Sequence, residues 1–288
     1  IRELAVLSLL PFPTAEHAET LSPVLNDHHP DVRNEARRTL VSFASKSDEM
    51  RVAVIAAAVK QLQGDSWRSQ QQAARLVGQL DHEPSAVRCL ELLSSNRREV
   101  LTTAAWALRK MLVEDSLSPA LDYASQITQE IRAGKVDPRI YSDQLSLLFQ
   151  FFGVLRYEKS VQLLLLHVPK NSATEDSRVG AIWGLGQIYR DGPPEGDLDS
   201  KLIERLRDTN PMQPELDTVR AASAVALGRM KAESALPSLR FFYEAESTLA
   251  PAGYASGWAI EQITGETIVM THRRPEQLKP FFLRPYRD

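Results

Sequence analysis

The sequence predicts an all-α fold, an α-solenoid of about seven to eight helix pairs stacked into a right-handed superhelix. The prediction rests on a ten-residue sequence frame that recurs about every 36 residues. Repeats of this size stack so that each unit contacts only its neighbours. The frame is clearest over 219–228, as β-branched residue, Arg, two variable residues, two small residues, variable, small, Leu and Gly. Its second position falls at Arg2, Arg33, Gln70, Leu101, Leu145, Arg178, Arg220 and Gly253.

Each repeat is predicted to contain two helices, an A helix followed by a B helix that carries the frame. The predicted B helices lie near 1–10, 31–44, 66–80, 97–113, 139–155, 176–190, 217–231 and 251–264. The predicted A helices lie near 14–26, 48–63, 84–95, 117–134, 157–168, 198–208 and 233–246.

Three kinds of residue mark the ends of these helices. Aspartates are expected as N-caps, prolines near the first helical position, and glycines at or near helix C-termini. The expected N-caps are Asp31, Asp65, Asp176 and Asp217. The prolines are Pro30, Pro84, Pro119 and Pro138, and the glycines are Gly64, Gly134 and Gly192.

Within a B helix, apolar residues recur at helical spacing and predict one buried stripe. The stripes are Val219, Ser223, Leu227 and Met230 in one repeat, and Val100, Ala104, Leu108 and Met111 in another. The small pairs of the frame are expected to let an A helix press closely against its B helix. The arginines at the second position follow an aspartate within three residues, which predicts a ladder of Asp–Arg contacts between neighbouring repeats.

The repeats are predicted to span 1–264, with the first repeat truncated because residue 1 falls inside a B helix. The chain is therefore expected to be a section of a longer protein. Residues 265–288 lack the repeat and are predicted to be a cap or a linker. Insertions interrupt the period at 114–138 and 210–216, and a turn-rich acidic loop is expected at 191–197.

Composition limits the function classes. Hydrophobic residues make up 43% of the chain, which is enough for a continuous core, and the net charge of −3 argues against a general nucleic-acid binder. The single cysteine, Cys89, excludes an intrachain disulfide framework and slightly favours the cytoplasm. No apolar run is long enough to span a bilayer, so no membrane insertion is expected.

Four segments carry a family resemblance: Pro30-Asp31-Val32-Arg33 with Ala36, 104–108, 177–186 and 217–228. They resemble HEAT repeats, in the bacterial form grouped with the HEAT-like repeats of phycobilisome lyases. The resemblance implies B helices that line a concave surface and a default role in binding protein partners. The repeat at Leu145 departs most, because Leu148 and Phe149 replace the small pair.

Catalytic and metal-binding patterns are weak. A HEAT-type di-iron enzyme resembling deoxyhypusine hydroxylase needs several His-Glu pairs on successive helices, whereas His82-Glu83 is the single pair here and lies beside Pro84. Cys89 lies in an apolar helical segment and is interpreted as a buried filler. No catalytic, cofactor-binding or metal-binding residue is predicted, and the protein is not expected to be an enzyme.

One B-helix position suggests a binding face. The fifth residue after the second frame position is tryptophan in three repeats, Trp106, Trp183 and Trp258. Tryptophan, tyrosine and arginine dominate the energetics of many interfaces. Packing of these tryptophans against a neighbouring B helix is the alternative. The predicted partner-binding residues are Arg38, Arg75, Trp106, Arg109, Trp183, Gln187, Tyr254 and Trp258.

The sequence thus predicts a non-enzymatic scaffold that binds a protein or peptide on its concave B-helix face. Two alternatives stay open. The first is a regulatory or lyase-like subunit of an enzyme complex, similar to the bilin lyase group. The second is a HEAT-like DNA-binding or glycosylase protein, which the charge balance disfavours.

Overall fold

The structure is a computed structural model that describes residues 1–192, 196–245 and 250–268. Within these ranges the secondary structure is helical and contains no strand, which confirms the predicted all-α fold. None of these helices is long and apolar enough to cross a membrane. The helices are α1 Arg2–Leu7, α2 Ala15–Leu21, α3 Pro30–Ala44, α4 Asp48–Gln63, α5 Trp67–Gln79, α6 Ala86–Leu92, α7 Arg98–Met111, α8 Leu117–Arg132, α9 Pro138–Val154, α10 Val161–Leu165, α11 Glu175–Ile188, α12 Leu198–Arg207, α13 Asp217–Arg229, α14 Leu236–Ala245 and α15 Pro251–Thr264.

The helices form two compact units, Ile1–Tyr123 and Ala124–Asp288, and each unit is an α-solenoid segment. In the first unit, successive B helices pack in the order α1, α3, α5, α7, and A helices α2, α4 and α6 pack against α3, α5 and α7. In the second, the B helices α9, α11, α13 and α15 pack in sequence, with α10, α12 and α14 against α11, α13 and α15. Contacts thus run between adjacent repeats, as the repeat period predicts.

Four turns from B to A helices in the described ranges share a conformation that the sequence analysis missed. Within two residues of the end of the B helix, a non-glycine residue adopts positive φ, and a short 3-10 turn precedes the A helix. The residues with positive φ are Asp81, Leu112, Arg156 and Lys231. Each stands two residues before a glutamate that starts the 3-10 turn, at Glu83, Glu114, Glu158 and Glu233. The A helices predicted to start near 84, 157 and 233 therefore begin with a 3-10 turn, whereas the one predicted near 117 is α-helical from Leu117.

The helix N-caps differ from the predicted aspartates. His29 and Thr174 precede α3 and α11, so Asp31 and Asp176 lie inside the first turn of these helices. Asp217 is the first residue of α13. A carboxylate in the first turn is stabilised by the positive end of the helix dipole, so aspartate marks the start without capping it. Asp65 precedes the N-cap Ser66.

The predicted B-helix stripes are buried, but the small residues serve a different contact from the one expected. Val219, Ser223 and Leu227 are fully buried, as predicted. A Cβ added at Gly186 would lie 2.8 Å from the Cα of Ala226, and one at Gly228 would lie 2.7 Å from the Cα of Ala259. These contacts join successive B helices. The small residues therefore let B helices approach each other, because any larger side chain would hold the two backbones apart.

The divergent repeat at Leu145 keeps this close contact, because the facing helix supplies small residues where this repeat has large ones. Leu148 and Phe149 are fully buried on α9. The facing helix α11 supplies glycine, since a Cβ at Gly184 would lie 2.7 Å from the carbonyl oxygen of Phe149. A Cβ at Gly180 would lie 2.6 Å from Oγ of Ser146. Large residues on α9 are thus matched by glycines on α11.

The second frame position ties the two helices of one repeat together, in place of the predicted Asp–Arg ladder. Arg33 donates to the carbonyl oxygen of Asp27 at 2.8 Å, and Arg220 donates to that of Leu206 at 3.0 Å. Gln70 replaces arginine and donates to the carbonyl oxygen of Gly64 at 2.8 Å. These acceptors lie at the C-terminal ends of the preceding helical segments, where carbonyl groups lack helical partners and the dipole is negative.

The insertion at 210–216 is anchored by a buried ion pair. Arg178 makes two hydrogen bonds to the Glu215 carboxylate, at 2.8 and 2.6 Å, and their side chains are 2% and 1% exposed. Arg205 adds a third hydrogen bond at 3.3 Å. These arginines hold the pKa of Glu215 below its ordinary value, against the burial that raises it. The segment is non-helical, as predicted, and exposes Met212.

We expect Gly153→Ala to destabilise the protein, because the new Cβ would lie 2.7 Å from the Cα of Gly184 and 3.1 Å from its carbonyl oxygen. Backbone atoms cannot rotate away, so the cost should be about 1–3 kcal/mol of unfolding free energy. Urea unfolding followed by circular dichroism measures it. The control is Gly192→Ala, where no heavy atom lies within 4 Å of the added Cβ. Equal stability of the two variants would contradict this account of helix packing.

His167 makes the second unit sensitive to acid. Its side chain is buried, its ring lies edge-on to Phe149 at 4.7 Å, and Nε2 lies 3.2 Å from Oγ1 of Thr128. Burial, with lesser effects of Arg132 and Arg178, lowers the pKa of His167 from 6.5 to about 4. The folded state therefore holds the neutral imidazole.

We expect His167 to lower the free energy of unfolding as pH falls from about 6.5 to about 4. Above pH 6.5 its contribution to the free energy of unfolding should not change with pH. In the acidic window the unfolded chain binds the proton more tightly, so the loss should reach on the order of 3 kcal/mol. The measurement compares urea unfolding of the wild type and His167→Gln between pH 7 and pH 4. The difference between their stabilities should change with pH, and a constant difference between pH 7 and pH 4 would contradict the burial of a neutral imidazole at His167.

Candidate partner-binding face

The predicted tryptophans lie mostly inside the helix array. We call the positions five residues after the second frame position the B-helix column; it includes Arg38 and Arg75 as well as Trp106, Trp183 and Trp258. Trp106 is 9% exposed and Trp183 is 5% exposed. Trp258 is half-buried. Most of the indole surface is therefore covered by the protein itself.

Each tryptophan packs over a glycine of the preceding B helix. A Cβ added at Gly78 would lie 2.8 Å from Cζ3 of Trp106. The corresponding distances are 3.3 Å from Gly153 to Trp183 and 3.1 Å from Gly228 to Trp258. All three glycines occupy the tenth position of their frames, which sequence reasoning did not connect with the tryptophan of the next repeat. The tryptophans thus contribute to packing between repeats, whether or not they also contact a partner.

Cationic side chains cover the indole rings. The guanidinium of Arg75 lies 5.5 Å from the ring centre of Trp106, and Nζ of Lys110 lies 5.8 Å from it. Arg229 lies 4.8 Å from the ring centre of Trp183. Such contacts stabilise a cation when it is partly desolvated.

Arg229 is itself buried, and its Nε and Nη1 have no hydrogen-bond partner among the described residues. Burial, with a lesser contribution from Arg190, lowers the pKa of Arg229 to about 10. The guanidinium of Arg229 therefore packs against the ring of Trp183 and is repelled by the charge of Arg190.

The remaining predicted residues lie at the surface to different degrees. Arg38 is exposed, and its nearest acid is Glu35 at 3.6 Å. The half-buried ones are Arg75, Arg109, Gln187 and Tyr254. The B helices thus present guanidinium, amide and phenol groups to solvent at these positions, and the tryptophans lie beneath them.

Sequence reasoning missed Arg37, a buried arginine next to Arg38 on α3. Its side chain is buried, and it donates to Oε1 of Gln72 at 3.1 Å and to Oε1 of Gln79. Burial, Arg75 and Arg38 lower the pKa of Arg37 to about 10, while Glu35 acts in the opposite direction. Arg37, Arg38 and Arg75 therefore lie close enough to repel one another.

Potential metal ligands and nucleophiles do not converge in the described ranges. No group of three or more His, Cys, Asp or Glu side chains there is arranged to hold a metal ion. Cys89 is buried, and burial raises the pKa of its thiol to about 12, which disfavours the thiolate that nucleophilic chemistry requires. His82 bonds to Oγ of Ser85 in the turn that precedes α6.

No family model and no curated protein matches the chain. Solved structures do. One is the complex of CpcE and CpcF of phycocyanin lyase from Nostoc sp., with a TM-score of 0.51 and 13% identity over 87% of this chain and 94% of that chain. An engineered protein has a TM-score of 0.49 and 19% identity, over 91% of this chain and 71% of that chain. Human deoxyhypusine hydroxylase has a TM-score of 0.38 and 16% identity, over 90% and 100%. At these identities the similarity to phycocyanin lyase shows the α-solenoid fold alone.

We expect Trp183→Ala to lower the melting temperature strongly, because it removes a buried indole from between Gly153 and Arg229. The loss should be about 3–5 kcal/mol, as for other buried aromatic residues, and smaller for half-buried Trp258→Ala. Thermal unfolding by circular dichroism measures both. The surface control Arg38→Ala should stay within about 0.5 kcal/mol of the wild type. An unchanged melting temperature in Trp183→Ala would contradict this packing role, and loss of partner binding at an unchanged melting temperature would assign the indole to the binding face.

Proposed function

We propose that the protein is a non-enzymatic scaffold of HEAT-like repeats that binds a protein partner on its B-helix face. The B-helix column and the nearby B-helix positions Gln187 and Tyr254 support this proposal. Arginine, glutamine and tyrosine side chains stand at the surface at Arg38, Arg75, Gln187 and Tyr254, over a layer of packed tryptophan. Tyrosine and arginine are enriched among residues that dominate binding energy at protein interfaces.

Packing beneath the surface supports the same function. The indoles of Trp106 and Trp183 are wedged against glycine backbones, so the helices that carry the surface residues are held at fixed spacing. A surface that is rigid before binding loses little conformational entropy when a partner docks. Such a face suits recognition, and the proposal requires no reacting group.

A second candidate is a regulatory or lyase-like subunit of an enzyme complex. The similarity of the fold to the CpcE–CpcF complex of phycocyanin lyase favours it. The two candidates share a protein partner and differ in whether the chain also contacts a chromophore. Mixing the purified protein with a free linear tetrapyrrole separates them, because a shifted visible absorption band favours the lyase-like subunit and an unchanged spectrum favours the scaffold.

The scaffold is tested by site-specific photo-crosslinking in cells that naturally make the protein. A photoreactive phenylalanine analogue replaces Gln187 or Tyr254 on B helices, or Val52 or Val87 on A helices. We expect protein adducts from the B-helix positions, because a bound partner would lie within reach of those side chains. Gel shift followed by mass spectrometry of the adducts measures this.

The A-helix positions are the matched controls, since Val52 and Val87 are 68% and 67% exposed and would label any protein that collides at random. Adducts from the A-helix positions alone would place the partner on the other helices and overturn the proposed face. No adduct from any position would remove the support for a stable protein partner.

A further inference from the structure

Three guanidinium groups are concentrated on neighbouring B helices of the first unit. Arg37 and Arg38 are adjacent on α3, and Arg75 lies on α5. Arg37 is buried and bonds to Gln72 on α5, while Arg38 is exposed and Arg75 is half-buried, so the three guanidinium groups are neighbours. Burial, followed by the proximity of Arg75 and Arg38, lowers the pKa of Arg37. We call Arg37, Arg38 and Arg75 the arginine cluster.

The arginine cluster is held in place by neutral groups. Arg37 bridges from α3 to α5 by donating to the side-chain oxygens of Gln72 and Gln79. The guanidinium of Arg75 rests 5.5 Å from the ring centre of Trp106 on α7. Amide oxygens and an aromatic face position a guanidinium group without pairing it with a carboxylate.

Acidic residues do little to balance this charge. Glu35 lies 3.6 Å from Arg38, and no described carboxylate pairs with Arg37 or Arg75. Helix α5 contains Arg68 and Arg75 and no acidic residue. The whole chain carries a net charge of −3, so a local positive region is a departure from the average. Like charges that are fixed close together destabilise a fold by mutual repulsion, and a bound anion relieves it.

The geometry points to the arginine cluster as a docking site for an acidic segment of the protein partner, bound through its carboxylates. This inference rests on the proposed function and adds the chemistry of the partner. Guanidinium groups recognise carboxylates through paired hydrogen bonds. Arg38, which is 70% exposed, meets the segment first, and the half-buried Arg75 provides a second contact on the next repeat.

A peptide fits this surface better than a nucleic acid does. Nucleic-acid binding at physiological salt typically involves about 6–10 phosphate contacts. The arginine cluster offers two guanidinium groups at the surface, Arg38 and Arg75, and the net charge of −3 over the chain would repel a long polyanion. A short run of glutamate or aspartate matches two cations on adjacent B helices, whereas a nucleic acid would need further phosphate contacts.

The test measures fluorescence anisotropy of a labelled peptide of alternating glutamate and serine, titrated with the full chain. A peptide with glutamine in place of glutamate is the neutral probe, and a labelled DNA duplex and inorganic phosphate are the other anions. We expect the acidic peptide to bind and the neutral one not to bind. Arg38→Glu should weaken binding about tenfold, because it places a carboxylate against the acidic segment.

Lys60→Glu is the matched control. It makes the same change of charge in the same unit, at a side chain that is 73% exposed on the A helix α4, and it should alter affinity less than about twofold. Arg75→Gln is the second variant and should also weaken binding, with circular dichroism confirming that it is folded. Equal effects of Arg38→Glu and Lys60→Glu, no binding of the acidic peptide, or tighter binding of the duplex would each overturn the inference.

Failure of this test and failure of the proposed function are distinguishable. If B-helix crosslinks form but the acidic peptide does not bind, the partner uses the B-helix face with a different chemistry. If the acidic peptide is displaced by inorganic phosphate at equal charge concentration, the arginine cluster is a general anion site and the peptide inference is wrong. If no B-helix crosslink forms, the proposed function fails whatever the peptide does.

Discussion

The close approach of successive B helices is the constraint on which the rest of each unit depends. Backbone meets backbone at Gly153 and Gly184, at Gly186 and Ala226, and at Gly228 and Ala259, with no space for another methyl group. A helix hairpin is too short to bury its own apolar face, so each repeat must cover the next. Small residues at the contact let the apolar stripes of neighbouring B helices join into one core. In the divergent repeat the same close spacing is kept, since a Cβ at Gly184 of α11 would lie 2.7 Å from the carbonyl oxygen of Phe149.

The composition of the B-helix face follows from this spacing. A glycine on one B helix leaves a shallow space, and the tryptophan of the next repeat fills it with the edge of its ring. The indole is then too deep to be the main contact with a partner, and the side chains above it, such as Arg75 and Lys110, become the surface. Tryptophan thereby stabilises the packing of the repeats and orients the cationic side chains that the proposed partner would contact.

Hydrogen bonds from polar side chains join the two helices of a repeat. Arg33, Gln70 and Arg220 each reach the carbonyl groups that end the preceding helical segment. Arg178 donates to the carbonyl oxygen of Val168 at 3.4 Å and also binds Glu215, so it holds the insertion of the following repeat against α11. The same frame position therefore stabilises an ordinary repeat in one place and an added loop in another. This is how the period tolerates an insertion without losing the packing of the B helices.

The sequence by itself determined the number, order and approximate bounds of the helices, because the apolar period and the frame are local properties of the chain. It also marked Arg38, Arg75 and the three tryptophans as one column. It could not decide which neighbour a small residue faces, so the close contact was assigned to A and B helices rather than to successive B helices. Nor could it find Arg37, since nothing in the sequence near that residue indicates that the side-chain oxygens of Gln72 and Gln79, in the next repeat, accept its hydrogen bonds. The burial of Trp183 beneath Arg229, 46 residues later in the sequence numbering, is likewise a property of stacked repeats. Only the tertiary structure brings such residues together, because the forces between them act through space and not along the chain.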